Sequence, residues 1–242
     1  MTPALVASWC FLVALAGGAV GLVLGNIRLP LLVLAASNPA AGAGANIGVS
    51  GISALTSALV HVRAGRIDWR LFAWLTPPSI VGAATGGYAS SKVPKNLFLA
   101  TIGVVLLLMA FDLLRRKAPV QARHTSPVET IAVGGFIGLL GGFVGLILGS
   151  LRLPALLRMG EPLGAAIGTN MSVGFFVGIS GVVGHLPGGV DWTLLGIGAA
   201  ASVPGALLGA RLTGRLSEAR LQQAIGAILV VAGISMLVEA FA

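Results

Sequence analysis

Two arginines, Arg28 and Arg152, sit in apolar runs with nearly identical surroundings. Residues 17–30 read GGAVGLVLGNIRLP and residues 141–154 read GGFVGLILGSLRLP, identical at ten of fourteen positions at a constant offset of 124. A guanidinium is a delocalised cation with five N–H donors in one plane, a shape that suits planar or tetrahedral oxyanions. Within a membrane an arginine is costly and faces a cavity or a partner; snorkelling to the interface from a helix end is the alternative. Gly25-Asn26 and Gly149-Ser150 precede the arginines, and Pro30 and Pro154 follow them. Glycine permits irregular backbone and proline suits a first helical turn. Helices starting near Pro30 and Pro154 would therefore aim free N–H groups and a positive dipole end at one place. Asn46 and the Gly168-Thr169-Asn170 run are expected to cap the following helices and to add donors; a purely backbone-satisfying role is the alternative. The candidate cradle is thus Arg28, Arg152, Asn46, Thr169, Asn170, Gly25, Asn26, Gly149 and Ser150.

Other polar residues point to less. Asp68, Asp112, Glu129, Asp191, Glu218 and Glu239 fall at segment ends or in loops, where capping and interfacial pairing occupy them. Glu161 lies close enough in sequence to Arg158 for a local ion pair. His61 and His185 are repeat mates at segment ends, readable as a pH-sensitive gate or as structural turns. Trp9, Trp69, Trp74 and Trp192 read as interfacial anchors. The chain carries no metal-ligand spacing, phosphate loop or nucleophile elbow, so no metal, cofactor or enzymatic activity is expected.

The elements that hold these residues follow from composition. Of 242 residues 56% are hydrophobic and only 9% charged, and the mean hydropathy is +0.99. A soluble domain carries about 25% charged residues, so lipid is the main solvent here. Eight apolar segments are legible, at 3–27, 29–62, 70–91, 96–114, 128–151, 153–186, 192–214 and 219–241. Each is long enough to cross a hydrocarbon core of roughly 30 Å. The first lacks a basic leader and its motif recurs mid-chain, so it reads as part of the fold and not as a signal peptide. The net charge of +8 sits in short loops between apolar segments, where membrane topology accounts for it and nucleic acid need not be invoked. The single cysteine, Cys10, excludes an internal disulfide and reads as a small buried apolar residue.

The repeat extends beyond the motif. Asn46 pairs with Asn170 and His61 with His185; after a one-residue shift, Ile67-Asp68-Trp69 pairs with Val190-Asp191-Trp192 and Gly82, Ala83 and Gly86 pair with Gly205, Ala206 and Gly209. The chain thus divides into a first repeat at 1–116, a linker at 117–127 and a second repeat at 128–242. Parallel halves would place seven Lys and Arg on one side and eight on the other, with no bias. Inverted halves put ten basic residues in the loops at 61–70, 115–124 and 211–220, against only Lys92 and Lys95 opposite. The positive-inside rule therefore favours inversion, with a cytoplasmic linker and both termini outside. Inversion needs an odd number of crossings per half, so one segment must be broken or re-entrant; Gly25 to Pro30 and Gly149 to Pro154 offer the place, and Pro39 to Gly44 and Glu161-Pro162 interrupt the next segment. Irregular backbone at that depth must line a cavity or be enclosed by protein. The expected fold is an all-α polytopic membrane protein, an inverted repeat of about eight hydrophobic segments.

The duplicated Gly-rich stretch ending in Arg-Leu-Pro, the Gly168-Thr169-Asn170 run, and the loops from His61 to Trp69 and His185 to Trp192 resemble the sulfite exporter TauE/SafE family across nearly the whole chain. The resemblance implies an inner-membrane permease exporting sulfite or an organosulfonate. This sequence departs from the family's tight run of three glycines, reading Leu24-Gly25-Asn26 and Leu148-Gly149-Ser150, and has Gly44-Ala45-Asn46 opposite Gly168-Thr169-Asn170. The reading is a secondary transporter or facilitator for a small sulfur-containing anion, with lipid as its other partner, no nucleic acid, and a homo-oligomer left open. An ion-coupled permease for another small organic acid and a non-transporting scaffold subunit are the alternatives.

Overall fold

A computed structural model of the chain describes residues 2–20, 23–115, 126–211 and 218–241. The described backbone forms ten α-helices and no strand: α1 (Pro3–Val20), α2 (Gly25–Ala35), α3 (Pro39–Arg63), α4 (Trp69–Ser90), α5 (Lys95–Arg115), α6 (Pro127–Val144), α7 (Gly149–Arg158), α8 (Leu163–His185), α9 (Trp192–Arg211) and α10 (Glu218–Phe241), with a 3-10 turn at Leu186–Gly188. Helices satisfy their own backbone groups, which lipid cannot do. Pro39–Arg63, Lys95–Asp112, Pro127–Val144, Leu163–Gly188 and Trp192–Gly209 are long and apolar enough to cross a membrane. Helices α2 and α7 have only 11 and 10 residues, a rise of roughly 16 Å, about half the core.

Segments 29–62 and 153–186 each prove to hold two helices. Asn38 caps α3 by accepting from the Ala41 amide, and Pro39 opens its first turn. In the second half, Gly160 at φ 89 and Pro162 separate α7 from α8. Gaps this short vanish when hydropathy is averaged over a membrane-spanning length. Pro30 and Pro154 correct a second expectation, since α2 and α7 begin at Gly25 and Gly149 and each proline lies inside its helix. A helix loses one backbone bond to an internal proline, which these short helices tolerate. Asn46 and Asn170 are not caps either; both lie inside the long helices α3 and α8. Most of the expected linker lies outside the described residues, and Ser126 already forms a reciprocal capping box with Glu129 at the start of α6.

Sequence-equivalent helices pack against each other in opposite directions. On α3 and α8, Gly44 abuts His185, Gly51 abuts Gly178, and Gly168 abuts His61. On α5 and α10, Gly103 meets Leu237 while Gly226 meets Leu114. The halves also exchange helices: α4 packs on α6 and α1 on α9. A Cβ on Gly82 would strike the Gly135 carbonyl, and one on its mate Gly205 the Phe11 carbonyl. Antiparallel packing of sequence-equivalent helices is the arrangement that an axis in the membrane plane would produce.

Candidate anion-binding site

Each short helix starts well inside the bundle. Gly25 sits against Ser50 and Asn46, near the middle of α3, and Gly149 sits against Asn170 of α8. No side chain caps either start, where Leu24 and Leu148 occupy the N-cap positions. Leu148 holds φ 49, a left-handed conformation that a bulky L-residue adopts at a cost of order 1–3 kcal/mol. The two starts face each other across a cavity of about 20 Å³ lined by Gly25, Asn26, Ser50, Met109, Gly149 and Ser150. That volume holds about one water molecule. A second cavity of about 20 Å³ borders Arg28, Ser53 and Ser57.

Arg28 and Arg152 are 1% and 0% exposed. Arg28 Nε donates to Asn46 Oδ1 at 3.0 Å, Nη2 to Ser50 Oγ at 2.7 Å, and Nη1 to Ser202 Oγ on α9 at 3.2 Å. Asn46 is held in turn by donating to the Gly145 carbonyl at 2.9 Å, and Gly145 has φ 77, which glycine adopts freely. Arg152 is held more loosely. Its Nη1 donates to Asn170 Oδ1 and its Nη2 to the Ile147 carbonyl, both at 3.4 Å, and Asn170 donates to the Gly149 carbonyl at 3.2 Å. Arg152 Nε has no partner. Among the described residues neither guanidinium meets a carboxylate; the ion pair found there is the exposed Lys95–Glu239 contact at 3.1 Å. Buried charge without a counter-ion is strongly unfavourable, so the site is electrostatically suited to an anion.

Eight of the nine anticipated residues therefore gather around the two helix breaks. Thr169 does not join them: its hydroxyl accepts the Asp68 amide at 3.0 Å. Ser50, Ser202 and Gly145 were not anticipated. A mid-helix serine carries no signal by itself, although Ser202 has a sequence mate in Ser79 at the offset of 123. Asp68 and Asp191 cap α4 and α9 through the Leu71 and Leu194 amides. Glu161 is turned toward Asp68 and not Arg158. Burial, the Asp68 charge and a hydrogen bond with Asp68 push its carboxyl above the ordinary range. His185 is fully buried, its Nε2 2.8 Å from the Gly142 carbonyl and its Nδ1 3.2 Å from Ser90 Oγ; His61 Nδ1 has no partner. Trp69, Trp74 and Trp192 are exposed, as anchors would be, whereas Trp9 donates to the Ile27 carbonyl at 3.4 Å. A wider groove of about 690 Å³ between α1, α2 and α10 is lined by Leu5, Leu12, Leu34 and Val231 and has no charged side chain. It suits acyl chains and not an anion.

The chain is similar to probable membrane transporters along most of its length. It is 26% identical over 226 residues to the probable membrane transporter protein YunE of Bacillus subtilis (strain 168), covering 81% of each chain. It is 26% identical over 226 residues to the probable membrane transporter protein YjnA of the same organism, covering 86% of this chain and 89% of that one. A third relative there, the probable membrane transporter protein YdhB, is 24% identical over 203 residues, 80% of this chain and 83% of its own. No solved structure gives a significant match. The family model described as sulfite exporter TauE/SafE matches residues 6–236. With that match over nearly its whole length, the chain belongs to the sulfite exporter TauE/SafE family and is a multi-pass membrane transporter, not an enzyme.

Proposed function

We propose that the protein moves a small sulfur-containing oxyanion, sulfite or an organosulfonate, out of the cell across the inner membrane. The observation that carries this reading is a pair of buried guanidiniums at repeat-equivalent positions with no carboxylate beside them among the described residues. Asn26, Ser150 and the opening amides of α2 and α7 add donors around the central cavity, which neither guanidinium lines in this state; Arg28 borders the second cavity. The cavity is too small for a four-atom oxyanion, so binding requires the halves to part. That demand suits alternating access at the meeting of two repeats.

Inversion is supported by the antiparallel packing of α3 on α8 and α5 on α10. Each half has five helices among the described residues, with short α2 and α7 as the broken element that an odd parity requires. Successive helices then leave Arg63, Arg66, Arg115 and Arg158 on one face, and Lys92 and Lys95 on the other. The basic face is cytoplasmic under the positive-inside rule, with both termini outside. A membrane potential of 100 mV, inside negative, favours exit of one negative charge by about 2.3 kcal/mol, so export needs no coupling ion. Purified protein should bind sulfite, Arg28→Ala and Arg152→Ala should each weaken binding at least about tenfold, and flux from liposomes should follow voltage. Unchanged binding in both variants would remove the site.

A further inference from the structure

The two halves share a sequence pattern but not a set of contacts. Ser79 on α4 and Ser202 on α9 are repeat mates, both fully buried. Each lies against the carbonyl of a mate residue, Ser79 Oγ donating to Gly134 O at 3.0 Å and Ser202 Oγ to Cys10 O at 3.5 Å. A hydroxyl that donates this way keeps lone pairs free to accept a further N–H. Ser202 uses one for Arg28 Nη1 at 3.2 Å. The equivalent bond, from Arg152 to Ser79, is absent, while Arg152 Nε stays buried and unpartnered.

The same imbalance recurs around each arginine. Helix α2 is buried from Gly25 through Pro30, whereas only Arg152 and Leu156 are buried on α7. His185, at the end of α8 beside the start of α3, is sealed by Ser90 and the Gly142 carbonyl. Its mate His61, on the face with the basic loops, is only partly buried and lacks a partner for Nδ1. One half is clamped and the other slack, on opposite faces.

We propose that Ser79 is the positioning residue that receives Arg152 in the opposite transport state, when Arg28 lets go of Ser202. The two serines are alternate latches for the two arginines. With His185 held by Ser90 and the Gly142 carbonyl, the state described here is assigned to closure of the face opposite the basic loops. Exchange of contacts between the halves joins Arg152 to Ser79 and releases Arg28 from Ser202, which opens that face. Each swing leaves one guanidinium less encumbered for the solute and holds the other in place. This rests on the anion-transport reading for its purpose, but the geometry it predicts can be read without any anion.

The test uses full-length protein in right-side-out and inside-out vesicles, with Cys10→Ala removing the native thiol and Met109→Cys, which lines the central cavity, as reporter. A membrane-impermeant maleimide is applied from each face and the ratio of labelling rates measured. Removing a hydrogen bond to a charged group shifts a two-state balance at least about tenfold. Ser202→Ala should therefore raise relative labelling from the face opposite the basic loops about tenfold, and Ser79→Ala should lower it about tenfold. The double variant should return to the parent ratio, and Ser79→Thr, which keeps the hydroxyl, should stay near it. Shifts of the same sign in both single variants, or no shift in Ser79→Ala, overturn the proposal. Opposite shifts in a protein that fails to bind sulfite would leave the latch standing and remove the anion reading.

Discussion

Arg28 and Arg152 share a motif, yet their settings differ in ways that single substitutions can read. Asn46 satisfies two buried groups at once, Arg28 Nε and the Gly145 carbonyl, at 3.0 and 2.9 Å. Asn170 instead accepts from Arg152 Nη1 and donates to the Gly149 carbonyl, within its own half, at 3.4 and 3.2 Å. Stranding a buried polar group costs about 1–3 kcal/mol. Asn46→Ala should therefore lose on the order of 3 kcal/mol, and Asn170→Ala clearly less, by thermal unfolding in detergent; equal losses would contradict the asymmetry. Glu161 gives a pH prediction. Its carboxyl is raised by burial, by the Asp68 charge and by its hydrogen bond to Asp68, so the fold favours its protonated form. That stabilisation is complete below the ordinary carboxylate pKa of about 4.3 and is lost as pH rises through the raised value, when two carboxylates face each other. Proteolysis within residues 64–67 should speed up over that rise, and Glu161→Gln should flatten the profile. The arginines were legible because a cation in an apolar run, repeated at a fixed offset, is a strong signal. Ser50 and Ser202 were not, since Arg28 and Ser202 are 174 positions apart and only the packing of α9 against α1 and α3 brings them together.

At the scale of helices, apolar length predicted most of the spans, and turn chemistry predicted where they stop. What hydropathy could not resolve were the short gaps 36–38 and 159–162 that make α2 and α7 separate elements. Proline misled in the same region: Pro30 and Pro154 looked like helix starts, but uncapped backbone at Leu24 and Leu148 begins each helix one turn earlier. Gly82 and Gly205 recur at matched positions, and at each of them backbone fills the space a side chain would need. Gly82→Val should therefore cost several kcal/mol, beyond the 1–3 typical of overpacking, because the obstructing Gly135 carbonyl belongs to a helix backbone. Gly196 on α9 is the control, since a Cβ there meets nothing within 4 Å. Gly196→Val should stay within about 0.5 kcal/mol of the parent. Monodispersity by size-exclusion chromatography separates the two outcomes: Gly82→Val should aggregate, and a well-behaved Gly82→Val protein would mean that α4 and α6 can part.

For the whole molecule, the decisive question is how the two halves are oriented, and charge and packing bear on it independently. Loop charges favour inversion because Arg63, Arg66 and Arg70 have no basic counterparts in the 185–192 loop. Packing favours it because Gly44 meets His185 while Gly168 meets His61, a register that only antiparallel copies can form. One face then carries both the α3–α4 and the α7–α8 turns, which touch where the Arg66 carbonyl approaches Gly168 and Asp68 binds Thr169. The other face carries the α2–α3 turn and the 3-10 turn, joined by Asn38 Nδ2 donating to the Gly188 carbonyl at 3.4 Å. Exposed positions on each turn make the arrangement measurable in a Cys10→Ala background. Ala64→Cys and Arg158→Cys should react with an impermeant thiol reagent from the cytoplasmic side only, and Ser37→Cys and Pro187→Cys from the outside only. Ala64 and Pro187 occupy equivalent loops, so parallel halves would label both from one side; inverted halves must label them from opposite sides. Agreement of Ala64 with Arg158 carries equal weight, because those turns belong to different halves and share a face only if the second copy is upside down.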